Sequence, residues 1–260
     1  MTTAAYLNSP ETIRSRLSVG QVSRFAPVLI LFVRPGLALL AQGITVWLLT
    51  QMQSPSPSIA VHSWWTVYGT VVDLGCLALL AWLVKREGIH LLDLVSFDRR
   101  KLKVDILIGL GIFLFIFPLA VFGGGALASR IAYGSLQAEL PQYALIRTLP
   151  LMAVLYSRLL WWPLWSFTEE LTYQGYALPR LRVLTGKTWL SVALVGFFWA
   201  LQHSFLPWIN IQHGAYLLIT FLPLTIALQL VYLRVGRLTP LIIGHWLMDL
   251  ASVLFLLQVG

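Results

Sequence analysis

The chain alternates between long apolar runs and short clusters of charge, Pro and Gly. Runs of about 20 mostly apolar residues are long enough to cross a bilayer as helices. Seven stand near 25–51, 62–84, 104–127, 149–171, 188–206, 214–233 and 238–258. The pattern predicts an all-α fold, a polytopic transmembrane helical bundle of about seven spans. Val33-Arg34-Pro35-Gly36 interrupts the first run, and an eighth, short segment is the alternative there. No polar stretch is long enough to bury a core of its own. The expected organisation is therefore an N-terminal segment at 1–24 and one integral-membrane domain at 25–260.

Basic residues orient this map, because cytoplasmic loops hold the excess of Lys and Arg. Of the 18 such residues, 14 lie at 1–24, 85–103, 180–187 and 234–237, whereas the connections 52–61 and 207–213 hold none. This alternation predicts a cytoplasmic N-terminus and a multi-pass protein of the cell (inner or plasma) membrane. Composition points to the same medium: 58% of residues are hydrophobic and 11% charged, against about a quarter charged in soluble domains. The net charge of +8 is spread over loops expected to face anionic headgroups, so the bilayer is the expected partner and nucleic acid is not.

Other features add less. About 24 mostly polar residues precede the first run, which argues for a retained N-terminus rather than a cleavable signal peptide. The single Cys76 cannot form an internal disulfide and is expected as a small core residue. Residues 88–103 read as a snorkelling connector at the cytoplasmic surface. The Gly-rich stretch 123–126 reads as a flexible span end.

The ionisable residues inside the runs carry the chemical information, since such groups are costly in hydrocarbon and are usually paired or functional. They are Arg34, Asp73, Arg158, Glu169, Glu170, His203, His245 and Asp249. Counting the helical rise from the nearest cytoplasmic basic residue puts Arg34 at ~15 Å and Asp73 at ~18 Å, so a structural ion pair is the preferred reading of those two. Arg158, at ~33 Å, lies near the outer interface and is expected to snorkel to water.

The same count puts Glu169 and Glu170 at ~15–17 Å, His203 at ~24 Å, and His245 and Asp249 at ~12 and ~18 Å. Three spans thus deliver acid and imidazole to the membrane interior. His245 and Asp249 are four apart and share a helical face, as do Glu170 and Gln174. Each residue alone has a bland reading: an imidazole bonded to a backbone carbonyl, or a Glu pair ending a helix at the interface. Together they need mutual partners or a wet pocket.

Glu169-Glu170-x-x-x-Gln174, Trp199-x-x-x-His203 and His245-x-x-x-Asp249, in that order over 166–249, resemble the three motifs of the CPBP intramembrane proteases. That family includes CAAX prenyl endopeptidases and bacterial relatives linked to bacteriocin processing and self-immunity. Its pattern is Glu-Glu-x-x-x-Arg, Phe-x-x-x-His and His-x-x-x-Asn or Asp. Gln174 departs from it by replacing the Arg, and Trp199 by replacing the Phe, although Phe198 is adjacent.

The resemblance implies an intramembrane endopeptidase acting on a membrane-anchored or lipid-modified peptide or protein. Glu169 would be the general base, His203 would orient the water, and His245 and Asp249 would polarise the carbonyl or complete the pocket. Glu170 would orient the first motif through Gln174. A Zn2+ site built from Glu169, His203, His245 and Asp249 is the other chemistry open to this set, although no His-Glu-x-x-His arrangement is present. Two rival functions remain at this level: a non-catalytic membrane immunity or scaffold protein, which Gln174 favours, and an ion-coupled transporter, which would call for inverted repeats not seen in the chain.

Overall fold

The computed structural model describes residues 7–137 and 147–259. The main helical stretches among the described residues are α1 (Pro10–Ser18), α2 (Ala26–Gln51), α3 (Pro57–Arg86), α4 (102–133), α5 (151–185), α6 (Thr188–Ser204), α7 (Ile211–Val235) and α8 (Thr239–Leu256). The apolar runs are thus helical, as the pattern predicts. Among the described residues, five helices are long and apolar enough to cross a membrane: Ala26–Gln51, Pro57–Arg86, Leu91–Tyr133, Ile211–Val235 and Thr239–Leu256. The protein is a multi-pass helical membrane bundle.

The count of seven spans is not reproduced by length and composition. Helix α6 has 17 residues, just short of the bilayer requirement. Helix α5 is broken into α and π stretches and carries the Glu pair in its middle. The alternative of an eighth segment falls away, because α2 continues through Pro35 without a break.

Helix ends follow local chemistry. The Ser9 hydroxyl caps α1 by accepting from the Thr12 amide at 3.3 Å, and Asn210 caps α7 by accepting from the His213 amide at 2.8 Å. Helices α5 and α7 stop at Gly186 (φ 64°) and Gly236 (φ 72°), left-handed positions that suit glycine. An unforeseen piece of sheet joins the far ends of α5 and α8. Strand β1 (Arg147–Leu149) pairs in parallel with β2 (Leu257–Val259), Thr148 opposite Gln258.

Close helix packing relies on small residues, as expected where lipid offers no hydrophobic drive to association. A Cβ on Gly244 of α8 would come within 2.9 Å of Ile112 on α4, and one on Gly124 of α4 within 2.7 Å of the Thr220 carbonyl on α7. Gly124 is therefore a crossing contact inside α4, which corrects the expectation of a flexible span end at 123–126. Two apolar clusters sit along α5. One gathers around Leu171, Tyr173, Tyr176 and Trp199, the other around Trp161, Trp165, Val253 and Leu257. Cys76 is fully buried in the second. The carboxylates of Glu169 and Glu170 lie at the seam between them.

Several basic residues assigned by sequence to lipid-facing loops are internal. Arg180 is fully buried and forms a bidentate pair with Glu87, while its Nη1 donates to the Asn8 side chain at 3.1 Å. Arg237 pairs with the buried Asp105. Arg16, also buried, donates to the Leu7 carbonyl at 2.9 Å. These charges are consumed by ion pairs and carbonyls of the bundle, which no count of loop residues reveals. Arg158 likewise donates to the Leu257 carbonyl at 2.6 Å, tying α5 to β2 rather than reaching only to water.

Candidate active site

Helix α5 does not end at the Glu pair. It continues to Thr185, and residues Glu170–Ala177 adopt a π-helix, a widened geometry common at functional sites. Glu169 and Glu170 thus stand in mid-helix, both fully buried, and the reading of two acids closing a helix at the interface is excluded.

The two carboxylates face different partners. Glu170 accepts from the Gln174 amide at 2.7 Å, one turn on, and its Oε1 lies 3.0 Å from Nδ1 of His245 on α8. Glu169 Oε2 accepts from the indole N–H of Trp199 on α6 at 2.6 Å. Its Oε1 accepts from the Gln202 amide and lies 3.5 Å from Nη2 of Arg34. Every buried carboxylate oxygen needs such donors, because an unpaired one forfeits its hydration without return.

His245 completes the bowl. Its Nε2 is 3.7 Å from Glu169 Oε2 and 3.7 Å from Asp249 Oδ2. Asp249 Oδ2 accepts from the hydroxyl of Ser166, a turn before the Glu pair on α5. The side chain of Asp249 is 15% exposed and that of His245 8%, against 0% for both Glu. Access to the carboxylates is therefore from the α8 side. Trp199 forms one wall, its ring stacked on Tyr173 at 5.2 Å and tilted against His245 at 6.0 Å.

Of the residues marked by sequence, the structure brings Glu169, Glu170, Gln174, Trp199, His245 and Asp249 together. His203 stands apart in bonding. Its ring stacks on Phe221 of α7 at 4.1 Å, close enough to Glu169 and His245 for their charges to interact, with no hydrogen bond to either among the described residues. Phe198 turns away to Phe32 on α2, with ring centroids 4.5 Å apart, so Trp199 alone supplies the aromatic wall. The paired reading of Arg34 and Asp73 agrees with a 2.9 Å contact between two fully buried groups.

Sequence reasoning missed Gln202, Tyr173, Ser166 and the reach of Arg34 into the site. Tyr173 is four residues after Glu169 and was legible as a same-face neighbour. Gln202 and Ser166 are uncharged and carried no cost signal.

Among the described residues no group of three His, Cys, Asp or Glu side chains converges on a point where a metal ion could sit. Both oxygens of Glu169 are engaged by N–H donors. The donor set as arranged does not fit Zn2+, and no step below passes through a metal.

Residues 150–251 match the family model described as Type II CAAX prenyl endopeptidase Rce1-like. No curated protein and no solved structure matches the chain. The matched segment contains all three motifs and every carboxylate and imidazole of the bowl. Over that segment, 102 of the 260 residues, the chain is similar to the Rce1-like type II CAAX prenyl endopeptidases.

Proposed function

We propose that the protein is an intramembrane endopeptidase of the plasma or inner membrane, with seven spans and a cytoplasmic N-terminus. It hydrolyses a peptide bond in a membrane-anchored substrate, of which a peptide ending in a lipid-modified CAAX-type sequence is the class the family match suggests. The observation that carries this reading is the position of His245 Nε2, 3.7 Å from one oxygen of Glu169 and 3.7 Å from one of Asp249. Those separations are too long for direct hydrogen bonds and suit a single bridging water.

The roles follow from donor and acceptor chemistry. Glu170 as a carboxylate only accepts, so Nδ1 of His245 carries a hydrogen; with the ring held as an imidazolium among three carboxylates, Nε2–H donates to the water, whose own two hydrogens face Glu169 and Asp249. Glu169 removes a proton from that water, and the resulting hydroxide attacks the substrate carbonyl carbon. The C–O bond forms, the C–N bond breaks, and the proton held by Glu169 passes to the leaving nitrogen. His203, whose ring makes no hydrogen bond to another described residue, is the group assigned to meet the carbonyl oxygen. Asp249, fixed by Ser166, orients the water from the other side. Gln174 keeps the hydrogen bond to Glu170 at 2.7 Å, which supports retained orientation of the first motif despite the missing Arg.

The test is cleavage of a farnesylated peptide with a CAAX-type terminus by the protein in proteoliposomes, products being read by mass spectrometry. Wild type should release the C-terminal fragment, and Glu169→Gln should be slower by about 100-fold or more while remaining folded and monodisperse in detergent. Equal rates in the two proteins, or no cleavage by wild type of this peptide and its unprenylated counterpart, would overturn the reading.

A further inference from the structure

Gln202 immediately precedes the His of the second motif, and its amide is fully buried. Its Oε1 accepts two hydrogen bonds, from Arg34 Nε at 2.8 Å and from the Tyr173 hydroxyl at 2.9 Å. An amide oxygen takes both donors only if the nitrogen faces the other way, so the orientation of the Gln202 side chain is decided by its partners rather than by rotamer preference. That nitrogen then donates to Glu169 Oε1.

Arg34 is itself over-determined. Its Nη1 donates to Asp73 at 2.9 Å, its guanidinium lies over the Trp165 ring at 4.5 Å, and its Nη2 faces Glu169 Oε1 at 3.5 Å without another partner among the described residues. The planar fork of an Arg can address Asp73, Gln202 and Glu169 at once, which the single point charge of a Lys cannot. The Arg that reaches the Glu pair among the described residues thus comes from α2, outside the motif-bearing segment, while position 174 holds a neutral amide.

We propose that Arg34 and Gln202 are positioning residues for Glu169: together they hold Oε1 away from the substrate and turn Oε2 toward Trp199, His245 and the water. Arg34 thereby supplies from another helix the positive charge that the Glu-Glu-x-x-x-Gln segment lacks. This rests on the hydrolytic reading above, and it extends the site to a helix that the family match does not cover. Asp73 is the counterion that makes a buried guanidinium tolerable at this depth.

Three variants test it, each checked for folding by melting temperature and monodispersity in detergent. Arg34→Lys keeps the charge opposite Asp73 and removes the fork. Arg34→Gln combined with Asp73→Asn removes both charges without leaving one unpaired. Gln202→Leu removes the relay. Each should lower kcat on the farnesylated peptide, by about 10-fold for the Lys variant and about 100-fold for the others, with KM within about threefold, since misplacement of a reacting group by an ångström has effects of that size. Adding Gln202→Leu to the charge-free double variant should cost little more, because the residues act in series. A second readout needs no turnover: labelling of Glu169 by a hydrophobic carbodiimide, followed by peptide mass spectrometry, should rise severalfold when Arg34 or Gln202 no longer engages Oε1. Folded variants with unchanged kcat and unchanged labelling would overturn the proposal. If the charge-free double variant does not fold, Arg34→Lys and Gln202→Leu decide alone. If wild type cleaves no peptide, the hydrolytic reading fails, and labelling by itself decides whether Arg34 and Gln202 hold Glu169.

Discussion

His245 Nδ1 and Glu170 Oε1 lie 3.0 Å apart, joining two residues 75 positions distant in the chain. This contact, between α5 and α8, fixes the plane of the imidazole and so decides where Nε2 points. Without it the ring could rotate about χ2 and Nε2 would leave the bowl. In the proposed mechanism Glu170 is the orienting member of the Glu pair and Glu169 the reacting one, a division that adjacency in sequence alone does not make.

Glu170→Gln should accordingly lower kcat by about 10- to 100-fold while KM changes little, the usual effect of removing a group that orients a functional imidazole. The measurement is steady-state cleavage of the farnesylated peptide. Loss of Glu170 with kcat intact would mean that His245 is held by its packing against Trp199.

Gln174→Ala should cost about 1–3 kcal/mol of stability, because Glu170 is fully buried and would lose one of its two donors. Denaturant or thermal unfolding in detergent reads this directly. Gln174→Arg, by contrast, restores the family pattern and should not reduce kcat if position 174 serves only to hold Glu170.

Glu87→Ala should be more damaging, by about 3–5 kcal/mol, since it leaves Arg180 fully buried without its bidentate partner. The loss should appear in the melting temperature. Because the pair lies beyond Tyr176, toward the Thr185 end of α5, kcat of the protein that remains folded should be unaffected.

Gly124→Ala should destabilise by about 1–3 kcal/mol, the cost of forcing an atom into a filled crossing. The obstructing atom is the backbone carbonyl of Thr220 at 2.7 Å, which has no freedom to swing aside. Gly111→Ala, with nothing within 4 Å of the added methyl, is the control on the same helical stretch and should be close to neutral. Similar melting temperatures for the two would show that α4 and α7 are less tightly apposed.

Much of this was legible in the sequence because hydrocarbon makes charge conspicuous. Apolar runs marked the helices, and the depth count brought Arg34 to Asp73 and Glu169 to His245 and Asp249. What stayed hidden lay in groups that carry no such cost. Gln202 and Ser166 are neutral, and their importance depends on which way an amide or hydroxyl faces. The continuation of α5 through the Glu pair was also hidden, since an apolar run that turns polar at 169 reads as ending there, whereas burial against α6 and α8 lets the helix go on. Arg180 and Arg237 misled in the opposite sense: they count toward the positive loops, yet Glu87 and Asp105 draw them inside.

The central claim is that Glu169, His245 and Asp249 share one water, and a high-resolution experimental structure of the wild-type protein in lipid tests it most directly. The account requires an ordered oxygen within about 3.2 Å of Glu169 Oε2, His245 Nε2 and Asp249 Oδ2 together. A direct hydrogen bond from His245 Nε2 to either carboxylate, closing the space between them, would contradict it.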